Sequence, residues 1–123
     1  MRSATPFFSI IIPYFKSTKT INQTLLSVLA QSFNDYEIVV VDDGSPSDLS
    51  ARSNIPKFMI EKLTILDQLN GGPASARNNG ISFASGKFCA FLDSDDIWDP
   101  FYLEKIYSHL VLTQSLYCYG NYR

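Results

Sequence analysis

Glu37-Ile38-Val39-Val40-Val41 is a short β-branched run that stops at Asp42-Asp43-Gly44-Ser45-Pro46, a cluster of turn-forming residues. Unbroken apolarity over so few positions predicts a buried strand, apolar on both faces, as strands of parallel sheets are. The same pattern occurs earlier, in Ser9-Ile10-Ile11-Ile12, which ends at Pro13. It recurs in Leu63-Thr64-Ile65-Leu66 and from Lys87 to Leu92, the latter followed by the acidic turn Asp93-Ser94-Asp95-Asp96. Leu116 to Tyr122 is expected to form a fifth strand.

Between these runs the period changes to that of a helix. Ile21, Leu25, Val28 and Leu29 recur at helical spacing behind Thr20, whose partner Gln23 completes a candidate capping box. Pro73 opens a second helix after the Asn70-Gly71-Gly72 loop, and that helix is expected to stop near Gly86. Asp99 is expected to cap a third, with Pro100 in its first turn and Leu103, Ile106, Tyr107, Leu110 and Val111 along one face. His109 falls off that stripe and reads as a surface residue. Ser47 to Lys62 is poorly patterned and broken by Pro56, so a short helix and irregular chain are expected there. Strands alternating with helices define an α/β fold with a mostly parallel sheet, and such sheets bind ligands outside the carboxyl ends of their strands.

The chain has 123 residues, 46% of them hydrophobic, which suits a single domain over residues 1–123. A net charge of -2 leaves no basic surplus for a run of phosphates, which argues against nucleic acid as a partner. The opening Phe7 to Ile12 resembles a secretory h-region only superficially, since Pro13 cuts it short. No apolar run approaches the roughly 20 residues of a bilayer span. Cys89 and Cys118 sit in aromatic-rich stretches that read as strand interiors, where a thiol is a small hydrophobe, and a reduced cytoplasmic protein follows. With one histidine and two distant cysteines, no zinc site can be assembled.

The candidate site residues fall at the strand ends. Asp93 and Asp95, two apart in chain expected to be extended, would project to one side and face one hard cation, Mn²⁺ or Mg²⁺, alongside a diphosphate. Asp42 and Asp43 add a second acidic pair to the same edge, and such a gathering repels unless a cation or hydrogen-bond donors intervene. Arg77, in the first turns of the helix opened by Pro73, supplies a counter-charge suited to phosphate, at the positive end of the helix dipole. Gly71 and Gly72 permit close backbone approach. Phe15, just past the first strand, offers a ring on which a nucleobase could stack.

Together SIIIPYF, EIVVVDDGSPSD, NGGPASARNNG and FLDSDDIWDP resemble, in order and spacing, the N-terminal half of family 2 inverting glycosyltransferases of GT-A fold. The resemblance implies that Pro13 and Phe15 border the base, that Asp42 and Asp43 belong to the nucleoside site with Asp43 accepting a base N–H, and that Arg77 contacts the base or diphosphate. It implies that Asp95 ligates Mn²⁺ or Mg²⁺ with Asp93 near ribose or metal. The donor would be a nucleoside diphosphate sugar and the acceptor a saccharide or a lipid-linked one. A cytoplasmic location follows, with the inner face of the membrane as the alternative. Phe15 and Lys16 stand where the family usually has tyrosine and asparagine, so stacking survives but a hydroxyl contact is lost. The family's catalytic base lies past the position of Arg123, so the sheet is expected to be truncated after its fifth strand and the fragment to be inactive alone.

Rival readings fit less well. A phosphoacceptor receiver domain needs its acidic pair after the first strand, where Pro13 and Tyr14 stand. A haloacid-dehalogenase-type phosphatase needs D-x-D there too, and a dinucleotide-binding oxidoreductase needs G-x-G-x-x-G. A non-catalytic nucleotide-binding module shares every residue above.

Overall fold

The apolar run around Ile10 forms a strand, β1 (Phe8–Tyr14), and the computed structural model, which describes residues 5–44 and 61–114, sets it inside a four-stranded sheet. The elements that follow are α1 (Ile21–Leu29), β2 (Tyr36–Asp43), β3 (Leu63–Gln68), α2 (Pro73–Phe83), β4 (Phe88–Phe91) and α3 (Tyr102–Thr113). The strand order is β3-β2-β1-β4, and every pairing is parallel. The α/β class and the parallel sheet expected from sequence are those observed.

Register explains how a proline fits an inner strand. β4 pairs with β1 only from Phe8 to Ile11 and then departs, whereas β2 continues alongside to Tyr14. The Ile11 carbonyl accepts from Leu92 N–H on the β4 side, so by strand alternation the nitrogen of Pro13 faces the side that β4 has left. Its missing N–H therefore costs no ladder bond.

Alternation also divides the core. Ile10, Ile12, Ile38 and Val40 pack with Leu25 and Val28 of α1 and with Leu103 and Leu110 of α3. Ile11, Val39 and Val41 face the other way, against Ala76 of α2. Cover on both faces is why these strands read as continuous hydrophobic runs. Gly80 lets α2 lie close on the sheet, since a Cβ there would come within 2.5 Å of Ile11 Cγ2.

Several boundaries and exposures differ from expectation. α2 stops at Phe83, before Gly86, and Gly86 instead packs against β1. Thr20 occupies the N-cap of α1 but forms no side-chain cap; its hydroxyl donates to the Ser94 carbonyl at 2.9 Å. Asp99 accepts from the Phe101 N–H at 2.8 Å, in a turn that precedes the first residue of α3. Leu103 and Leu110 are buried as expected and His109 is exposed, but Val111 is also exposed. Cys89 is exposed rather than interior, because α2 covers β1 and β2 and leaves that face of β4 open. Partial desolvation, then the nearby Glu37 carboxylate, push its thiol pKa up, which favours the protonated thiol. The expected fifth strand with Cys118, and all but the last two residues of the Ser47–Lys62 stretch, lie outside the described residues. Among the described residues, no helix is long and apolar enough to cross a membrane.

Gly86 offers a test of this packing. A Cβ there would lie 2.7 Å from Ser9 N and 2.8 Å from the Phe8 carbonyl carbon, both backbone atoms of an inner strand. Gly86→Ala is expected to lose about 1–3 kcal/mol of stability. A lower urea midpoint at unchanged slope would report it.

Candidate functional site

Four segments converge at the carboxyl edge of the sheet: the end of β1, the end of β2, the start of α2 and the turn after β4. They enclose a cleft of ≈ 340 Å³, at the small end of ligand-site volumes. Pro13, Phe15, Asp43, Arg77, Asp93 and Asp95 all line it. Phe15 is 46% exposed, with Lys16 Nζ 5.2 Å from its ring centroid.

Asp42 and Asp43 part company, because consecutive strand residues point to opposite faces. Asp42 is fully buried, on the α1 side of the sheet, and does not line the cleft. It is thus corrected from a ligand-facing position to an interior one. Asp43 points toward α2. Its Oδ1 accepts from Gly71 N–H at 2.8 Å and from Gln68 Nε2 at 2.8 Å. Its Oδ2 accepts from Gly72 N–H at 3.0 Å and Asn70 Nδ2 at 3.3 Å. A carboxylate has about four acceptor sites, and here the last residue of β3 and the loop before α2 occupy them. Burial alone would raise the Asp43 pKa, but the hydrogen bonds from Gly71, Gln68 and Gly72 outweigh it and hold the carboxyl below its ordinary value.

The loop so held sets the start of α2. Gly72 takes φ 96°, a left-handed value that favours glycine, and Pro73 sits at the first helical position, as expected. Arg77 follows one turn later, and its Nη2 lies 3.3 Å from Asp93 Oδ1. Both side chains are largely solvated, at 38% and 50% exposure, and an ion pair of that kind contributes only about 0.5 kcal/mol. The guanidinium can therefore exchange its partner for a phosphate at little cost.

The acidic segment is a turn rather than extended chain, closed by Asp96 N–H donating to the Asp93 carbonyl at 3.0 Å. The turn brings in a third carboxylate that spacing alone did not single out: oxygens of Asp93, Asp95 and Asp96 lie within 4.8 Å of one another. A donor set made only of carboxylate oxygens fits a hard cation such as Mn²⁺ or Mg²⁺. Ser17 and Asn70 also line the cleft and were not foreseen. Asn70 had a visible signal, its place beside two glycines, whereas Ser17 had none.

A parallel α/β sheet with a cleft at its carboxyl edge, apolar in most of its lining but carrying Asp43, Arg77, Asp93 and Asp95, belongs to the class that binds nucleotides and similar ligands at that edge. The family model described as Glycosyl transferase family 2 matches residues 9–123. The chain is a member of glycosyltransferase family 2, with the GT-A fold. It is 37% identical over 115 residues to the UDP-Glc:alpha-D-GlcNAc-diphosphoundecaprenol beta-1,3-glucosyltransferase WfgD of Escherichia coli, covering 93% of this chain and 45% of that protein. It is 37% identical to the succinoglycan biosynthesis protein ExoW of Rhizobium meliloti, covering 83% of this chain and 33% of that protein. Among solved structures, S. aureus TarS 1-349 in complex with UDP superposes with a TM-score of 0.78 and 30% identity, over 89% of this chain and 33% of that one. The chain thus spans less than half the length of these relatives.

Asp43 carries the prediction from this geometry. A carboxyl whose folded pKa is lowered gives stability that is complete above its unfolded value and is lost as pH falls through the folded one. The amide resonances of Gly71 and Gly72 are expected to titrate with a midpoint below the ordinary 3.8. In Asp43→Asn that titration is expected to vanish. A midpoint at or above 3.8 in the wild type would contradict the assignment.

Proposed function

We propose that residues 1–123 form the donor-binding domain, the N-terminal part of a longer catalytic unit, of a glycosyltransferase that uses a nucleoside diphosphate sugar. The observation that carries this reading is the convergence of Arg77, the start of α2 and the Asp93–Asp95–Asp96 turn on one cleft with Phe15 at its rim. The named activity of one relative, a UDP-Glc glucosyltransferase, and the UDP complex of another support UDP as the nucleotide.

In this reading Phe15 stacks on the base and Pro13 borders it, with Asp43 at the floor. Arg77 leaves Asp93 for the diphosphate, where a guanidinium fork matches phosphate oxygens. The α2 N-terminus adds the favourable end of its dipole. Asp95, Asp93 and Asp96 would hold Mn²⁺ or Mg²⁺, which when bound would stabilise charge on the leaving diphosphate as a Lewis acid. An acceptor hydroxyl, deprotonated by a base outside this chain, would attack the anomeric carbon and invert it. A lipid-linked acceptor, as in the name of the Escherichia coli relative, fits a cytoplasmic enzyme working at the inner face of the membrane.

Calorimetric titration of UDP, GDP and dTDP with and without Mn²⁺ tests the assignment. UDP binding is expected to need Mn²⁺ in the wild type and to fall at least about tenfold in Asp95→Ala, the loss of one ligand to a hard cation. Binding that ignores both the metal and the substitution would refute the site. Residues 1–123 alone are expected to transfer no sugar, and robust turnover by them would show that the base lies within this chain.

A further inference from the structure

The acidic turn is held from behind by a stripe of polar side chains on α1 that the proposed chemistry does not use. Thr20, Thr24, Ser27 and Gln31 recur every three or four residues, so they share one helix face. Thr24 is fully buried, and Ser27 and Gln31 are nearly so. A buried hydroxyl or amide that lacks a partner costs stability, and each of these has one.

Their partners are consecutive parts of one segment. Thr24 Oγ1 lies 2.9 Å from the Ser94 carbonyl oxygen and 2.8 Å from that of Asp96. Thr20 Oγ1 also donates to the Ser94 carbonyl, at 2.9 Å. Two hydroxyl protons thus serve the two carbonyls that interleave with the three acidic side chains. Ser94 Oγ donates to Ser17 Oγ at 2.7 Å, which ties the same turn to the chain leaving β1. Farther along, Ser27 Oγ accepts from Trp98 N–H at 3.2 Å, and Gln31 bridges the Asp99 carbonyl at 2.7 Å and Leu103 N–H at 3.0 Å.

We infer that Thr24, with Thr20, is a positioning residue for the cation site: its hydroxyl fixes the backbone of residues 94–96 so that the carboxylates of Asp93, Asp95 and Asp96 stay gathered. Like charges at this distance repel, so a turn without that brace relaxes by spreading them. Thr24 touches neither ligand nor metal and acts through the turn. The inference rests on the cation reading given above.

The test is Mn²⁺ titration followed by electron paramagnetic resonance in the presence of UDP, on the wild type, Thr24→Val and Thr24→Ser. Valine keeps the branched shape and deletes the hydroxyl, whereas serine keeps the hydroxyl. Thr24→Val is expected to weaken Mn²⁺ binding about tenfold, the usual scale for losing a group that orients metal ligands, and Thr24→Ser to restore it. Far- and near-ultraviolet circular dichroism are expected to keep their wild-type spectra, which a merely unfolded variant could not do. Should Thr24→Val fail to fold, Thr20→Val, at a half-buried position, makes the same comparison. Wild-type Mn²⁺ affinity in a folded valine variant would overturn the positioning role alone. No Mn²⁺ binding by the wild type would overturn the cation reading, and the positioning role with it.

Discussion

Two carboxylates on one face of β2 fix where α2 lies, and the cleft depends on that placement. Glu37 and Asp43 stand six residues apart and so project to the same side of the strand. Asp43 grips the loop that leads into α2, through the amides of Gly71 and Gly72. Glu37 grips the loop that leaves it, accepting from Ser85 N–H at 2.7 Å, Ser85 Oγ at 3.0 Å and Ser9 Oγ at 2.5 Å. Six strand residues span roughly 20 Å. The 11-residue helix is roughly 16 Å long. One helix and two short loops therefore just bridge the pair, and neither end can slide without breaking charge-assisted hydrogen bonds. Arg77 owes its position to this grip.

The same physics runs through the rest of the edge. The acids at the end of β2 are placed differently. Asp42 is buried on the α1 side, and Asp43 is saturated by donors from the end of β3 and the loop that follows it. Among the described residues, the turn after β4 is where three carboxylates gather, with Asp93 paired to Arg77. That contrast separates acids that build the site from acids that line it.

Strand runs were legible in the sequence because burial on both faces leaves a continuous apolar signature, and the helix stripes because their period differs. The glycine-proline start of α2 was legible because few residues tolerate either backbone. What escaped were features that depend on where a side chain finds its partner. Thr20 and Gln23 spell a capping box, yet no side-chain cap forms and the Thr20 hydroxyl donates to the Ser94 carbonyl, some seventy residues on, where no local spacing points. Asp43 lines the cleft as its place at a strand end suggests, but its hydrogen bonds to Gly71 and Gly72 depend on a loop whose approach only the tertiary structure sets. Cys89 spells an interior thiol because β4 is apolar, but an apolar strand at the rim of the described sheet has one uncovered face.

These departures share a cause. α1 and α3 cover one face of the sheet and α2 the other, so parts of the carboxyl-edge loops, the backbone of residues 94–99 among them, lie against a helix rather than in water. Their carbonyls and amides must then be met by side chains, since a buried backbone polar group left unpaired costs about 1–3 kcal/mol. Thr24, Ser27 and Gln31 meet that demand from a helix face that amphipathic logic would assign to apolar residues. A helix that is polar where it should be greasy marks a loop whose backbone the fold cannot afford to leave loose.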